Sequence, residues 1–137
     1  MDRTQIEARM KSLLETKGNA GGFIYAEVSN GLIYSTDDVD FEVIYDGCHI
    51  LSVADSENTA WMNFPLSVVG NGPHKLELPL PSNLDFWWIK SRNVSYRSIH
   101  GFATYTFSDD RNTIHGVIDL VLEDGITMIG GFYVTRA

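Results

Sequence analysis

Hydrophobic and polar residues alternate with a period of two along most of the chain after residue 22. The segment Ile118–Leu122 is an example, because its first, third and fifth residues are apolar and its second is Asp119. Alternation of this kind is typical of strands that bury one face. Turn-forming pairs such as Asn30-Gly31 and Asp124-Gly125 separate the alternating segments. The pattern predicts a run of antiparallel hairpins over residues 23–136.

The C-terminal third has the most regular pattern. Similar strands recur every fifteen residues, and each carries a glycine at the same place: Gly101, Gly116, and the pair Gly130-Gly131. Glycines in phase on neighbouring strands indicate bends that curl a sheet towards closure. A three-residue loop at Glu123–Gly125 predicts the last hairpin, with Leu120 opposite Met128 on an inward face.

The first residues have a different period. Thr4 and Glu7 form a capping box, and Gly18 supplies a stop signal. Between them, apolar residues fall on one helical face: Ile6, Met10, Leu13 and Leu14. The pattern predicts one helix at about 4–17, packed on the sheet.

These elements predict a mainly β fold in a single domain over residues 1–137. Short strands joined by tight turns, without alternating helices, exclude a parallel α/β sheet. Two architectures remain open, a small bent barrel formed by an antiparallel meander and a two-layer sandwich. The phased glycines favour the barrel.

Charge and cysteine content narrow the expected partners. The chain has 18 acidic and 10 basic residues in 137, a formal net charge of -8. This charge repels nucleic acid and anionic membranes and attracts a basic partner, although an acidic surface also serves solubility alone. Cys48 has no second cysteine to pair with, and no secretory leader opens the sequence, so we expect a cytoplasmic protein.

Motif searches give no strong catalytic or cofactor signal. The sequence lacks the glycine motifs of nucleotide-binding proteins, the serine-hydrolase motif and paired zinc ligands, so we expect no cofactor, no metal and no catalytic residue. The acidic run Asp37–Glu42 is interpreted as solvated turn residues rather than a calcium site. A two-residue turn at Asp109-Asp110 would place His100 opposite Asp119, and this pair is the only arrangement that suggests an enzyme.

Aromatic and basic residues are interleaved between residues 87 and 97. A tryptophan that faces solvent there, or at position 61, would be a natural binding anchor. The candidate binding residues are therefore Trp61, Trp87, Trp88, Lys90, Arg92, Tyr96, His100 and Asp119.

Three functions remain open, in decreasing order of support. The first is a small acidic non-enzymatic module that binds another protein, with a basic partner and an inhibitor or immunity-type role as the narrower expectation. The second is a barrel that holds a small apolar or aromatic ligand among Phe102, Leu120, Met128 and the Trp87-Trp88 pair. The third is an enzyme using His100 and Asp119. The predicted helix stripe and edge strands also permit a homodimer.

Overall fold

The computed structural model describes residues 18–44, 46–79 and 87–136, together with five positions before residue 18, namely 4, 8, 11, 12 and 15. Its elements are ten strands and one short 3-10 turn. The strands are β1 (Ala20–Val28), β2 (Ile33–Thr36), β3 (Val39–Ile44), β4 (Gly47–Asp55), β5 (Asn58–Pro65), β6 (His74–Leu78), β7 (Trp88–Ser91), β8 (Val94–Phe107), β9 (Thr113–Leu122) and β10 (Thr127–Arg136). The 3-10 turn, Glu123–Gly125, joins β9 to β10.

The strands form one antiparallel sheet that is ring-like. Hydrogen-bonded neighbours follow the order β10, β9, β8, β7, β5, β4, β3 and β1, and β1 also pairs along its length with β10. The contact from β3 to β1 is a single pair, Ala20 with Val39, and β2 continues this edge on β1. On the other side of the ring, β6 and β7 share β8. The predicted antiparallel, mainly β fold is confirmed at this level.

The predicted N-terminal helix is not among the elements of the described structure. It falls almost wholly outside the described residues, and so do Ile6, Met10, Leu13 and Leu14. The five described positions of the segment are helical, and all five are exposed. Among the described residues, there is no helix long and apolar enough to cross a membrane.

The last hairpin, β9–β10, has the predicted register. Leu120 lies opposite Met128, and Ile118 lies opposite Gly130. The glycines stand where neighbouring strands approach closely, because a Cβ at Gly116 or Gly130 would overlap a backbone carbonyl oxygen of the next strand. Gly101 has a left-handed φ of 102° and follows a bulge in β8. At Gly101, Gly116 and Gly130 the backbone therefore requires glycine.

Aromatic rings from distant parts of the ring meet in its interior. The ring of Phe64, on β5, lies 4.9 Å from Trp87, 5.1 Å from Tyr105 and 5.1 Å from Phe132, measured between centroids. Phe132 belongs to β10, which lies across the ring from β5. One apolar core therefore fills the space between opposite strands, as aromatic contacts of this geometry favour.

Loops fold over both ends of the ring. At one end, the Asn30 amide donates a hydrogen bond of 2.9 Å to the Ser91 hydroxyl, which joins the β1–β2 turn to the opposite strand β7. At the other end, the Arg111 guanidinium donates to the carbonyl oxygens of Val68 and Gly70, each at 3.0 Å. These bonds hold the turn and the β5–β6 loop across the two ends of the core.

Candidate binding surface

The predicted aromatic anchors at positions 87, 88 and 96 are divided between the two faces of the sheet. Trp87 is fully buried in the interior, where its indole nitrogen donates to the Asn63 carbonyl oxygen at 3.0 Å. Tyr96 is half-buried against the same core. Trp88 lies on the outer face, half-buried against Leu51 and its neighbours. These three residues do not form a shared exposed surface.

The basic residues of that stretch are used locally. The Lys90 ammonium donates to the Ser56 carbonyl oxygen at 2.9 Å, and the Arg92 backbone amide donates to the Asn58 side chain at 2.8 Å. Arg92 is exposed and has a left-handed φ of 51°, as expected of a tight turn. Both residues therefore secure the β4–β5 and β7–β8 turns at one end of the ring.

Trp61 lies on the outer face of β5, as its alternation predicts, but it is only 1% exposed. Its ring is stacked with His49, with centroids 5.8 Å apart and planes within 2°. The indole nitrogen donates to His49 Nδ1 at 3.0 Å. Since an indole is only a donor, this nitrogen of His49 is the unprotonated one. Trp61 is thus part of a buried cluster and is not an exposed anchor.

The pairing predicted for His100 is wrong. The β8–β9 connection is longer than the two-residue turn that was expected, so His100 lies opposite Val121 and Asp119 lies opposite Phe102. His100 and Asp119 share the outer face without being direct cross-strand partners. The direct cross-strand pairing that suggested an imidazole–carboxylate pair is therefore not formed.

The structure also shows the surroundings of Cys48 and of Asp38 in the acidic run. Cys48 is fully buried, and burial raises the pKa of its thiol to about 12. Asp38 accepts a hydrogen bond from the Gly18 backbone amide at 2.7 Å, so this member of the acidic run fastens the chain ahead of β1. Within the described residues, no group of three potential metal ligands comes together.

A different surface stands out on the outer face of β1, β10 and β9. Large apolar residues that face solvent gather here around Gly131, and we name them the outer patch: Phe23, Tyr25, Val117, Ile129 and Tyr133. Their exposed fractions run from 44% to 56%. A soluble sheet usually covers or replaces side chains of this size on its outer face, so their clustering indicates an interaction surface.

Strand register arranges the outer patch and its neighbours on the same face in three rows that cross the strands. The first row is Phe23, Tyr133 and His115, in which the last two rings are stacked with centroids 6.1 Å apart. The second row is Tyr25, Gly131 and Val117. The third row is Ile33, Glu27, Ile129 and Asp119. Residues on adjacent strands in such rows lie about 5 Å apart, so the outer patch is continuous.

Two carboxylates flank the apolar side chains in the third row. Glu27 and Asp119 lie on either side of Ile129, and both are exposed. Among the described residues, neither carboxylate has a cation within ion-pair distance. The exposed apolar area of the outer patch therefore lies beside two exposed carboxylates.

Sequence reasoning missed most of the outer patch, although a signal was present. Phe23 and Tyr25 alternate with the inward residues Ile24 and Ala26, so β1 is apolar in both phases. A strand of that kind is ordinarily interpreted as buried on both sides. The alternative, one buried face and one binding face, needs the neighbouring strands to be known, and Asp119 is the one candidate that belongs to this surface.

Comparisons of the chain with protein-family models, with curated proteins and with solved structures each found no match.

Proposed function

We propose that this chain is a non-enzymatic protein-binding module that uses the outer patch to hold a basic partner. The observation that carries the proposal is the cluster of half-exposed aromatic and aliphatic side chains around Gly131, with Glu27 and Asp119 beside it. Aromatic residues are enriched at the centres of protein interfaces, where their burial supplies most of the binding energy. An inhibitor or immunity-type role is the narrower form of this proposal.

Charge supports a basic partner over a second copy of the chain. Each copy has a formal net charge of -8. A two-fold dimer through the outer patch would bring together two copies that each carry this net negative charge, and like charges in apposed surfaces cost binding energy. A basic protein would instead be steered towards this surface.

The core supports an outside binding site rather than an enclosed ligand. We propose that the ring-like sheet is a small bent barrel whose interior is occupied by its own side chains. Phe64 touches three other rings in the core, and the Asn30–Ser91 and Arg111 hydrogen bonds hold loops over the two ends. Of the residues proposed for a ligand pocket, Leu120, Met128 and Trp87 belong to this packed core, whereas Phe102 lies on the outer face.

A pair of double variants tests the proposal. Tyr25→Ser with Tyr133→Ser removes two aromatic rings from the outer patch. Val69→Ser with Val94→Ser removes two exposed apolar side chains from loops and strands elsewhere, so it is the matched control. We expect a basic protein to co-purify stoichiometrically from the native source with the wild-type chain and with the control. The aromatic variant should retain it at least about thirtyfold less tightly, the size of a hot-spot effect.

The binding assay must be read together with the fold. Circular dichroism and thermal melting check that each double variant keeps the sheet. A folded Tyr25→Ser, Tyr133→Ser protein that holds the partner as tightly as the wild type would overturn the proposal. So would a stoichiometric partner that is acidic.

A further inference from the structure

The position of Gly131 suggests what kind of partner segment the outer patch receives. Gly131 is the middle residue of the second row, between Tyr25 on β1 and Val117 on β9. Because Gly131 has no side chain, a recess interrupts the row. Along β10, Ile129 lies on one side of this recess and Tyr133 lies on the other. A Cβ placed there would meet only the Gly116 carbonyl oxygen, at 3.1 Å, and Val117 Cγ1, at 4.0 Å. The recess is therefore open towards solvent.

Apolar groups surround this recess on all four sides. Tyr25, Val117, Ile129 and Tyr133 are each between 44% and 56% exposed, so a side chain that entered the recess would cover part of all four. An aliphatic or aromatic side chain gains most from such a site, because burial of apolar area is favourable and non-directional. A polar side chain would lose its hydration on entering the recess. Of the four surrounding side chains, only the two tyrosines carry a hydroxyl that could replace the lost hydrogen bonds.

Glu27 and Asp119 determine which residues the partner segment carries on either side of its apolar residue. Glu27 is on β1 and Asp119 is on β9, with Ile129 of β10 between them. Two strand spacings place their Cα atoms roughly 10 Å apart. In an extended segment, the residues two positions before and two positions after an apolar residue point to the same side as it does. Lysine or arginine at those two positions reaches carboxylates at this separation, since each long side chain adds several ångströms of span.

We propose that the outer patch recognises a short segment of basic–apolar–basic pattern in a partner protein. Its apolar side chain fills the recess over Gly131, and its two cations lie on Glu27 and Asp119. This inference rests on the proposed function, which it deepens by naming the chemistry of the partner. It also accounts for two exposed carboxylates placed beside apolar residues, where they would otherwise weaken the packing of an apolar partner.

Synthetic peptides on the full-length chain test the inference. The probes are acetyl-Arg-Lys-Leu-Lys-Arg-amide and the same peptide with Ser in place of Leu, titrated into isotope-labelled protein and followed by amide chemical shifts. We expect the Leu peptide to bind about fivefold more tightly than the Ser peptide, as burial of one aliphatic side chain implies. The shifts should centre on residues 129–133.

Charge variants test the second half of the pattern. Glu27→Gln with Asp119→Asn should weaken the Leu peptide by roughly tenfold and flatten its salt dependence. Glu57→Gln with Asp124→Asn makes the same change in net charge at exposed turn residues outside the three rows, and it should leave affinity within about twofold. Equal weakening by both variants would show that only net charge matters, which would overturn the inference.

Recess variants test the apolar half. Gly131→Val fills the recess and should abolish the preference for Leu over Ser. Because the new Cβ lies close to the Gly116 carbonyl oxygen, Val117→Thr is the second variant. Val117→Thr keeps the branched side chain that suits a strand but replaces a methyl group beside the recess with a hydroxyl. It should also reduce the preference for the Leu peptide over the Ser peptide. An unchanged preference in both variants would overturn the inference.

Failure of this inference is distinguishable from failure of the proposed function. If the native partner loses affinity with Tyr25→Ser, Tyr133→Ser but not with Glu27→Gln, Asp119→Asn, the outer patch binds a partner by apolar contact alone. The recess pattern is then wrong and the function stands. If sedimentation shows wild-type dimers that the tyrosine variant separates, the occupant is a second copy, and both proposals are wrong.

Discussion

Phe23 and Tyr133 are direct cross-strand partners on the outer face of the sheet, and about half of each residue is exposed, 53% and 46%. An aromatic pair in this position stabilises two strands, yet it leaves about half of its surface available. We propose that the pair contributes little to the free energy of unfolding and much to the affinity for a partner. This difference can be measured.

We predict that Phe23→Thr lowers the free energy of unfolding by no more than about 1 kcal/mol, because threonine suits a strand and the lost contact is one exposed cross-strand pair. Urea denaturation measures this change. Phe64→Leu is the contrasting variant, since that ring packs on three others in the core, and we expect it to cost about 1–3 kcal/mol. A loss of 3 kcal/mol at Phe23 would mean that the outer patch serves stability.

Adjacent glycines at the start of β1 give a sharper test of the fold. At Gly21 a Cβ would meet nothing within 4 Å, whereas at Gly22, with φ of 107°, it would overlap the Tyr133 carbonyl oxygen. We predict that Gly21→Ala is neutral or stabilises by up to about 1 kcal/mol. Gly22→Ala should destabilise by at least about 2 kcal/mol. Thermal melting compares the two, and similar melting temperatures would contradict the β1–β10 packing.

The buried pair His49–Trp61 predicts a coupled loss of stability. Replacing His49 with Leu leaves the Trp61 indole N–H buried without its acceptor, which should cost about 1–3 kcal/mol. Trp61→Phe made in the His49→Leu background should cost less than in the wild type, because the orphaned donor is removed. Denaturation of the four proteins in this cycle gives the coupling energy. Strict additivity would contradict the hydrogen bond.

Cys48 should be inert in the native protein. Burial raises the pKa of its thiol from 9.0 to about 12, so the thiolate that reacts is scarce at neutral pH. We predict negligible alkylation by iodoacetamide at pH 8 in the folded chain and complete alkylation in urea. Rapid stoichiometric reaction without urea would show that the thiol is accessible.

The same shift predicts the sign of a pH effect. Because the folded-state pKa is raised, the contribution of Cys48 to stability is present below pH 9 and is lost as the pH rises towards 12. Burial also raises the pKa of Tyr34, which acts in the same direction at higher pH. Cys48→Ala should therefore lose less stability than the wild type between pH 9 and pH 11, as urea denaturation can show.

Much of the fold follows from the sequence because its cues are local. The loop at Glu123–Gly125 and the alternation around it determine the register of the last hairpin, so Leu120 meets Met128 as expected. The β8–β9 register was missed because the connection is longer than its Asp109-Asp110 signal indicates, and a shift of two residues moved Asp119 away from His100. Strand pairs that are distant in sequence, such as β1 with β10, leave no comparable local signal.

The candidate surface was less predictable than the fold for a related reason. Trp61 and Trp87 are the residue type most enriched at binding hot spots, but both are buried within the fold. The outer patch is composed of residues more than 90 positions apart, such as Tyr25 and Val117, which the ring-like sheet brings together through β10. Only the pairing of strands shows that these side chains share one exposed face.

The account depends on the outer patch being the surface that a basic partner covers. The most direct test titrates isotope-labelled protein with the purified co-purifying partner and maps the amide resonances that shift or broaden. We predict effects centred on residues 23–27, 115–119 and 129–133, with little change at Lys90, Arg92 and Tyr96. Effects centred on Lys90, Arg92 and Tyr96 instead, with the outer patch unchanged, would contradict the account.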